Sequence, residues 1–207
     1  MLSITVELKW SIGWLEGFKS RNGIRKRTQH GEAASVNMEG AEDRMVELRA
    51  IVAPYPPKDV YNMDETGLFW KATPDTTLAT ETLSGTKKQK ARVSLANCSN
   101  ADGSDKLPLW VIGASAKPRC FAAARVNIDS LDMLWRSNKK AWMTTVIMLD
   151  WLTWFDKRMQ GRRVLLLLDS FSAHSAALRT LTENNTLKNI RVEFLPPNCT
   201  SVYQPLD

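Results

Sequence analysis

The chain has few of the residues that usually build zinc sites or disulfide frameworks. It contains three cysteines, Cys98, Cys120 and Cys199, and only two histidines. The cysteines lie far apart and none forms a CxxC pair, so the sequence argues against a zinc site. An odd number of scattered thiols fits an intracellular protein in which cysteines stay reduced.

The sequence also lacks a long apolar run. No stretch approaches the roughly 20 residues that span a bilayer, so no transmembrane segment is expected. The first seven residues have neither a basic region nor a long apolar core, and they therefore do not predict a signal peptide.

Composition places the chain among globular proteins with a basic surface. Its 207 residues are 43% hydrophobic and 24% charged, enough for one full domain and a fragment of another. The net charge of +6 favours a polyanionic partner, although the excess is mild and a merely soluble basic protein is a fair alternative interpretation. We found no internal repeats or low-complexity tracts.

The N-terminal part predicts two helices and a basic loop. Apolar residues at three- and four-residue spacing predict a helix over residues 7–20, and a second short helix is expected over residues 41–52. Five cations without an intervening acid could contact successive DNA phosphates: Lys19, Arg21, Arg25, Lys26 and Arg27. A solvated charge run at a helix C-terminus explains them equally well.

After the proline cluster at residues 54–57 the pattern changes to strands. Strands are predicted at residues 60–64, 92–98 and 107–112, and residues 114–142 read as irregular. A helix capped by Thr144 or Thr145 should run to about Met159. A strand, a helix opening at Ser175 and a last strand at residues 190–195 follow.

The organising stretch is the apolar run Val164–Leu168, which ends in Asp169. Such a run predicts a strand buried on both faces in the middle of a mixed sheet. The carboxylate should then lie at the mouth of the sheet, where open α/β sheets bind ligands. Taken alone, Asp169 is better explained as a cap of the next segment.

A second predicted strand also ends in an acid, Asp64. If the two strands are parallel neighbours, Asp64 and Asp169 face each other and repel, and a bound divalent cation would relieve that repulsion. Carboxylate oxygens favour Mg²⁺ or Mn²⁺, and two such ions can act on a phosphodiester. Asp207, after the last strand, is in the right order to serve as a third acid.

Several segments together resemble the DDE endonuclease domain of pogo/Tigger-type transposases, whose relatives include Jerky-type proteins and centromere protein B. The matching residues are 61–68, 100–103 with 106–108, 111–113 with 117–119, 138–144, 166–169 with 172–174, and 194–198 through 204–207. Each is weak alone, but they occur in the right order over residues 58–207. Residues 11–37 resemble the end of the family's second helix-turn-helix unit.

The resemblance implies an α/β fold with an RNase H-like mixed sheet flanked by helices. It also implies a metal-holding catalytic triad of Asp64, Asp169 and Asp207, with two Mg²⁺ or Mn²⁺ ions as cofactors. Glu65 and His174 match the family pattern as well, and we expect supporting roles for them. For His174 a hydrogen-bonding role is expected rather than metal ligation.

The expected organisation is a partial helix-turn-helix remnant with a linker helix over residues 1–53, followed by the DDE domain over residues 58–207. The domain is expected to be truncated at its C-terminus, because a helix should follow the third acid. The expected function is metal-dependent hydrolysis or strand transfer on DNA in the nucleus, with assembly into a homo-oligomer as a further expectation. The alternative is a catalytically inactive, degenerate or domesticated DNA-binding protein.

Overall fold

The computed structural model describes residues 11–23, 38–72, 90–197 and 200–206. Contacts divide the chain into two compact units, Met1–Ala34 and Ser35–Asp207. No helix within the described residues is long and apolar enough to cross a membrane. The domain boundaries predicted at residues 53 and 58 stay predictions.

The first unit contributes one described helix, α1 (Ile12–Arg21). Ser11 caps it by accepting a hydrogen bond from the Trp14 backbone N–H at 3.1 Å. Gly23, just past the helix end, has a φ of 64°, a backbone conformation that glycine adopts without strain. The helix buries none of its residues within the described part of the chain.

The second unit is built around one six-stranded sheet. Its strands are β1 (Val60–Leu68), β2 (Val93–Asn100), β3 (Leu109–Gly113), β4 (Met133–Ser137), β5 (Val164–Leu168) and β6 (Ile190–Phe194). They lie in the order β4-β3-β2-β1-β5-β6. Strand β2 is antiparallel to β1 and β3, whereas the pairs β3–β4, β1–β5 and β5–β6 are parallel.

Among the described residues, five helices accompany the sheet: α2 (Met38–Val52), α3 (Arg119–Ala123), α4 (Thr145–Arg158), α5 (Ser172–Glu183) and α6 (Thr200–Tyr203). Thr144 caps α4, as predicted, by accepting from the Ile147 backbone N–H at 3.4 Å. Helix α2 is tied to β6 by an ion pair between Arg44 Nη2 and Glu193 Oε2 at 2.7 Å. The predicted class, an α/β fold with a mixed sheet flanked by helices, is confirmed.

The core lies between the sheet and helices α4 and α5. Fully buried members from the sheet include Tyr61, Trp110 and Leu166, and α4 contributes Trp151 and Phe155. The rings of Trp151 and Phe155 stack at 5.0 Å. These aromatic residues of α4 are therefore core packing.

The apolar run proved to be an interior strand. Val164, Leu165, Leu166 and Leu168 are at most 1% exposed, and β5 lies between β1 and β6. The prediction of a strand buried on both faces in a mixed sheet is confirmed. The carboxyl end of β5 then delivers Asp169 to the edge of the sheet.

Two predictions about strands were wrong. The segment 114–142, read as irregular, contains the edge strand β4, whose five residues are all only partly buried. An edge strand paired on one side needs no continuous apolar run, so the pattern did not reveal it. Strand β1 was predicted to end at Asp64, but it continues to Leu68 because β2 still pairs with it there.

Candidate active site

The register between β1 and β5 brings the two predicted acids together. The parallel pairs are Val60 with Leu165, Tyr61 with Leu166 and Asn62 with Leu167. Continued by two residues, this register sets Asp64 beside Asp169. The pairing stops where β5 ends, while β1 runs on with β2 alone. Asp64 therefore lies at the mouth of the β1–β5 pair although it lies inside its own strand.

His174, in the first turn of α5, connects Asp169 to Glu65. Its Nδ1 lies 2.7 Å from Asp169 Oδ1, and its Nε2 lies 2.9 Å from Glu65 Oε1. The imidazole is fully buried. Both ring nitrogens face carboxylates, so the doubly protonated ring satisfies both partners and neither nitrogen is left to ligate a metal.

The charges of this cluster set the pKa values of His174 and Asp169 in opposite directions. Burial alone would lower the pKa of His174, but hydrogen bonds and charges from Asp169 and Glu65 outweigh it and raise the pKa to about 10. Burial pushes the pKa of Asp169 upward, yet the bond to His174 holds it below its ordinary value. Asp169 is therefore ionised and paired with a cation at neutral pH.

Asp64 has the opposite environment. Burial is the main reason that its pKa rises to about 6, and the negative charges of Glu65 and Asp169 raise it further. Hydrogen bonds from the Glu65 backbone and the Gln204 side chain only partly offset these effects. Asp64 therefore carries a negative charge that its protein surroundings disfavour.

Gln204 is a site residue whose role the sequence did not reveal. Its side chain is buried; Nε2 donates to the Met63 carbonyl at 3.2 Å, and Oε1 accepts from Asn62 Nδ2 at 3.4 Å. These bonds fasten the segment after β6 onto β1 next to Asp64. A Gln-Pro pair is visible in the sequence, but nothing in the local pattern shows which strand it contacts.

The described residues offer a partial fit to a divalent metal. No group of three or more potential ligands occurs among them. Asp64 and Asp169 supply the hard carboxylate oxygens that Mg²⁺ and Mn²⁺ favour. The described contacts of the Asp169 carboxylate, from His174 and from the Phe171 backbone N–H, both involve Oδ1, so Oδ2 is open. Asp207 lies outside the described residues.

Asn62 provides one further oxygen near the acids. It lies two residues before Asp64 on the same face of β1, since side chains alternate along a strand. Its buried Oδ1 has no hydrogen-bond partner within the described chain. An unpaired buried amide oxygen is costly, and a cation would satisfy it.

The predicted DNA-contacting cations are only partly described. Lys19 and Arg21 lie in the last turn of α1, and Lys19 makes a 3.4 Å ion pair with Glu16. Arg25, Lys26 and Arg27 lie outside the described residues. The DNA-binding role of these five residues stays a prediction.

Comparison with known proteins identifies the family. Residues 90–207, more than half of the chain, match the family model described as DDE superfamily endonuclease. The chain belongs to this family. Asp169 and Asp207 fall within the matched range, and Asp64 precedes it.

Two curated relatives place the chain in the branch that the motifs indicated. It is 46% identical over 198 residues to CENP-B homolog protein 2 of Schizosaccharomyces pombe, covering 95% of this chain and 38% of the relative. It is 38% identical over 200 residues to the mouse Tigger transposable element-derived protein 4, covering 94% of this chain and 37% of the relative. The predicted resemblance is confirmed: the chain carries a transposase-derived DDE endonuclease domain, and it spans under two fifths of these relatives' lengths.

A solved structure, the Mos1 transposase paired-end complex with left transposon end, is also similar. The two share 14% identity with a TM-score of 0.48, covering 91% of this chain and 51% of that one.

Proposed function

We propose that this domain is a metal-dependent endonuclease that cuts or transfers DNA phosphodiesters, with Asp64, Asp169 and Asp207 as its metal-holding acids. The observation that carries the proposal is the parallel register of β1 and β5, which sets Asp64 beside Asp169 at one end of the sheet. Family membership supports the reaction class.

Asp169 and Asp64 have different surroundings, each of which suits a metal ligand. His174 orients the Asp169 carboxylate through Oδ1 and leaves Oδ2 available. Asp64 is partly buried beside like charges, and its raised pKa means that a positive ion there would be favoured. Divalent ions, when bound, would activate a water and stabilise the leaving oxygen of a phosphodiester.

Polyanion binding fits the charge of the chain. The net charge is +6, and the last turn of α1 carries Lys19 and Arg21. We infer DNA as the partner and the nucleus as the compartment, since transposase-derived relatives bear the names of centromere- and transposon-related proteins. Assembly into a homo-oligomer stays a prediction.

The test is nicking of supercoiled plasmid with Mn²⁺ or Mg²⁺. The wild-type chain should nick, and Asp64→Asn and Asp169→Asn should each reduce nicking to the level without metal, because each removes a ligand charge. The matched control is Asp102→Asn, since Asp102 is fully exposed in the β2–β3 turn, away from the mouth of the sheet. Nicking that survives Asp64→Asn would contradict the proposal.

A second candidate is a DNA-binding protein without catalysis. The net charge of +6 supports it as well, since a basic surface suits a polyanionic partner with or without cleavage. In that case the wild-type chain should bind DNA with an affinity that falls steeply as salt rises, and no metal should produce nicks. Metal-dependent nicking by the wild-type chain, lost in Asp169→Asn, would exclude this candidate.

A further inference from the structure

A group of exposed aromatic rings surrounds one arginine at the far end of the β1–β2 hairpin. We call Phe69, Arg92 and Trp142 the aromatic shelf. The Arg92 guanidinium carbon lies 4.3 Å from the centroid of the Trp142 ring and 5.9 Å from that of Phe69. Phe69 is 45% exposed and Trp142 49% exposed. Contiguous exposed apolar surface marks interaction sites more often than single exposed side chains do.

Hydrogen bonds hold Arg92 and the turn before Trp142 in place. Arg92 Nη2 donates to Ser94 Oγ at 2.7 Å, and Ser94 Oγ donates to the Ala141 carbonyl at 2.7 Å in a buried contact. Asn138 Oδ1 accepts from the Lys140 backbone N–H at 3.0 Å and shapes the turn that carries Trp142. Because Arg92 and the turn before Trp142 are anchored before any ligand arrives, less ordering entropy would be lost on binding.

The shelf lies at the same end of the sheet as the acids. Gly67 pairs with Ser94, and a Cβ at Gly67 would lie only 3.3 Å from Arg92 Nη1. Gly67 is three residues beyond Asp64, about 10 Å along the strand, and this odd separation puts its side of β1 on the face opposite to the Asp64 carboxylate. A nucleic-acid strand that reached both would therefore pass around this end of the sheet.

The surroundings of the shelf are positively charged. The described segments that carry it, residues 69–72, 90–92 and 138–142, contain no acidic residue. They contain four exposed lysines, namely Lys71, Lys90, Lys139 and Lys140. Aromatic faces interleaved with cations suit single-stranded nucleic acid, whose bases stack on rings while its phosphates meet the cations.

We propose that the aromatic shelf stacks an unpaired DNA base of a strand that passes around this end of the sheet, so that the domain prefers strand ends or opened duplex. This rests on the proposed DNA-directed function and adds a preference that the acids alone would not give. Arg92 already lies against a face of the Trp142 ring, so the base would stack on the remaining exposed surface of Trp142 or Phe69 while the lysines contact the flanking phosphates.

The experiment measures binding without metal, so that it does not depend on cleavage. Fluorescence polarisation in EDTA would compare a labelled fork, in which unpaired bases adjoin a duplex, with the same fork carrying abasic sites in the unpaired arm. The wild-type chain should bind the abasic fork roughly tenfold more weakly, since stacking of one base contributes about that factor. Trp142→Ala and Phe69→Ala should each bind the normal fork more weakly and lose the difference between forks, whereas Trp142→Phe should keep part of it.

The matched control is Leu131→Ala, which shortens an exposed apolar side chain in the loop before β4. It should leave the tenfold difference unchanged. Melting curves would verify that each variant is folded, and the three shelf variants keep the test meaningful should one of them fail.

Three outcomes would overturn the proposal. If the abasic fork binds more weakly by the same factor in wild type and in Trp142→Ala, the base stacks elsewhere. If the wild type nevertheless nicks plasmid, the proposed endonuclease function stands without the shelf. No DNA binding by wild type would overturn both. A change in sedimentation mass on Trp142→Ala would show instead that the shelf is a contact between copies of the chain.

Discussion

A buried acid at one end of the sheet and a partly buried acid at the other have opposite surroundings. At the start of β6, Asp156 Oδ1 accepts from the backbone N–H groups of Lys188, Asn189 and Ile190 at 2.8–3.2 Å, and Oδ2 accepts from the Asn189 side chain. At the other end, the protein gives Asp64 too few donors to balance its burial and its acidic neighbours. A carboxylate whose oxygens accept hydrogen bonds from the chain stabilises the fold. A carboxylate with too few hydrogen-bond donors around it is available for a ligand.

The largest effect on stability is expected at the satisfied acid. Asp156→Ala should lower the free energy of unfolding by about 4 kcal/mol, because three backbone N–H groups lose a charged acceptor. Urea unfolding would measure it. Asp156→Asn, which keeps one acceptor oxygen, should lose less, and Asp150→Ala, at an exposed ion pair with Arg136, should change stability by under about 1 kcal/mol. Equal losses for Asp156→Ala and Asp150→Ala would contradict the claim that the hydrogen-bonded, buried acid stabilises the fold more than the exposed one.

A slightly smaller loss of stability is expected at His174, which lies between Glu65 and Asp169. His174→Gln should cost about 3 kcal/mol, because a fully buried cation between Glu65 and Asp169 is removed and both carboxylates lose a partner. Chemical denaturation would measure it. In a double-mutant cycle with Glu65→Gln, the double variant should lose less stability than the sum of the two single losses. Strict additivity would show that the pair does not interact.

The stabilisation by His174 should also depend on pH with a defined sign. The folded-state pKa of about 10 lies above the ordinary 6.5, so folding takes up a proton. The contribution is therefore fully present below pH 6.5 and is lost as the pH rises through about 10. Unfolding curves of wild type and His174→Gln should converge over that interval, and a constant difference across it would contradict the assignment of a buried imidazolium.

The smallest effect has the opposite sign. Without divalent metal at pH 7, Asp64→Asn should raise the free energy of unfolding by about 1 kcal/mol, a figure reduced for the partial exposure of this side chain. The reason is that its pKa of about 6 records a penalty on the charged form. Thermal melts would measure the gain. Mg²⁺ or Mn²⁺ should stabilise wild type more than Asp64→Asn, and destabilisation by this substitution in EDTA would contradict the unsatisfied charge.

The sequence alone determined the class of the fold and the residues worth testing. The apolar run before Asp169 required an interior strand, and the helix capped by Thr144 was readable from its period and its cap. These features are local, since burial on both faces demands continuous apolar residues and a helix start demands a side-chain acceptor. The ordered motifs were sufficient to identify the family.

Only the tertiary structure decided how the acids are charged and held. No local sequence pattern predicts the register that sets Asp64 beside Asp169. None predicts the contact of His174 with Glu65, 109 residues earlier, either. Both depend on which strands become neighbours. Gln204 reaches β1 for the same reason. Residue type and spacing indicate which acids could act together, but their protonation and orientation follow from burial and from partners that the chain brings in from a distance.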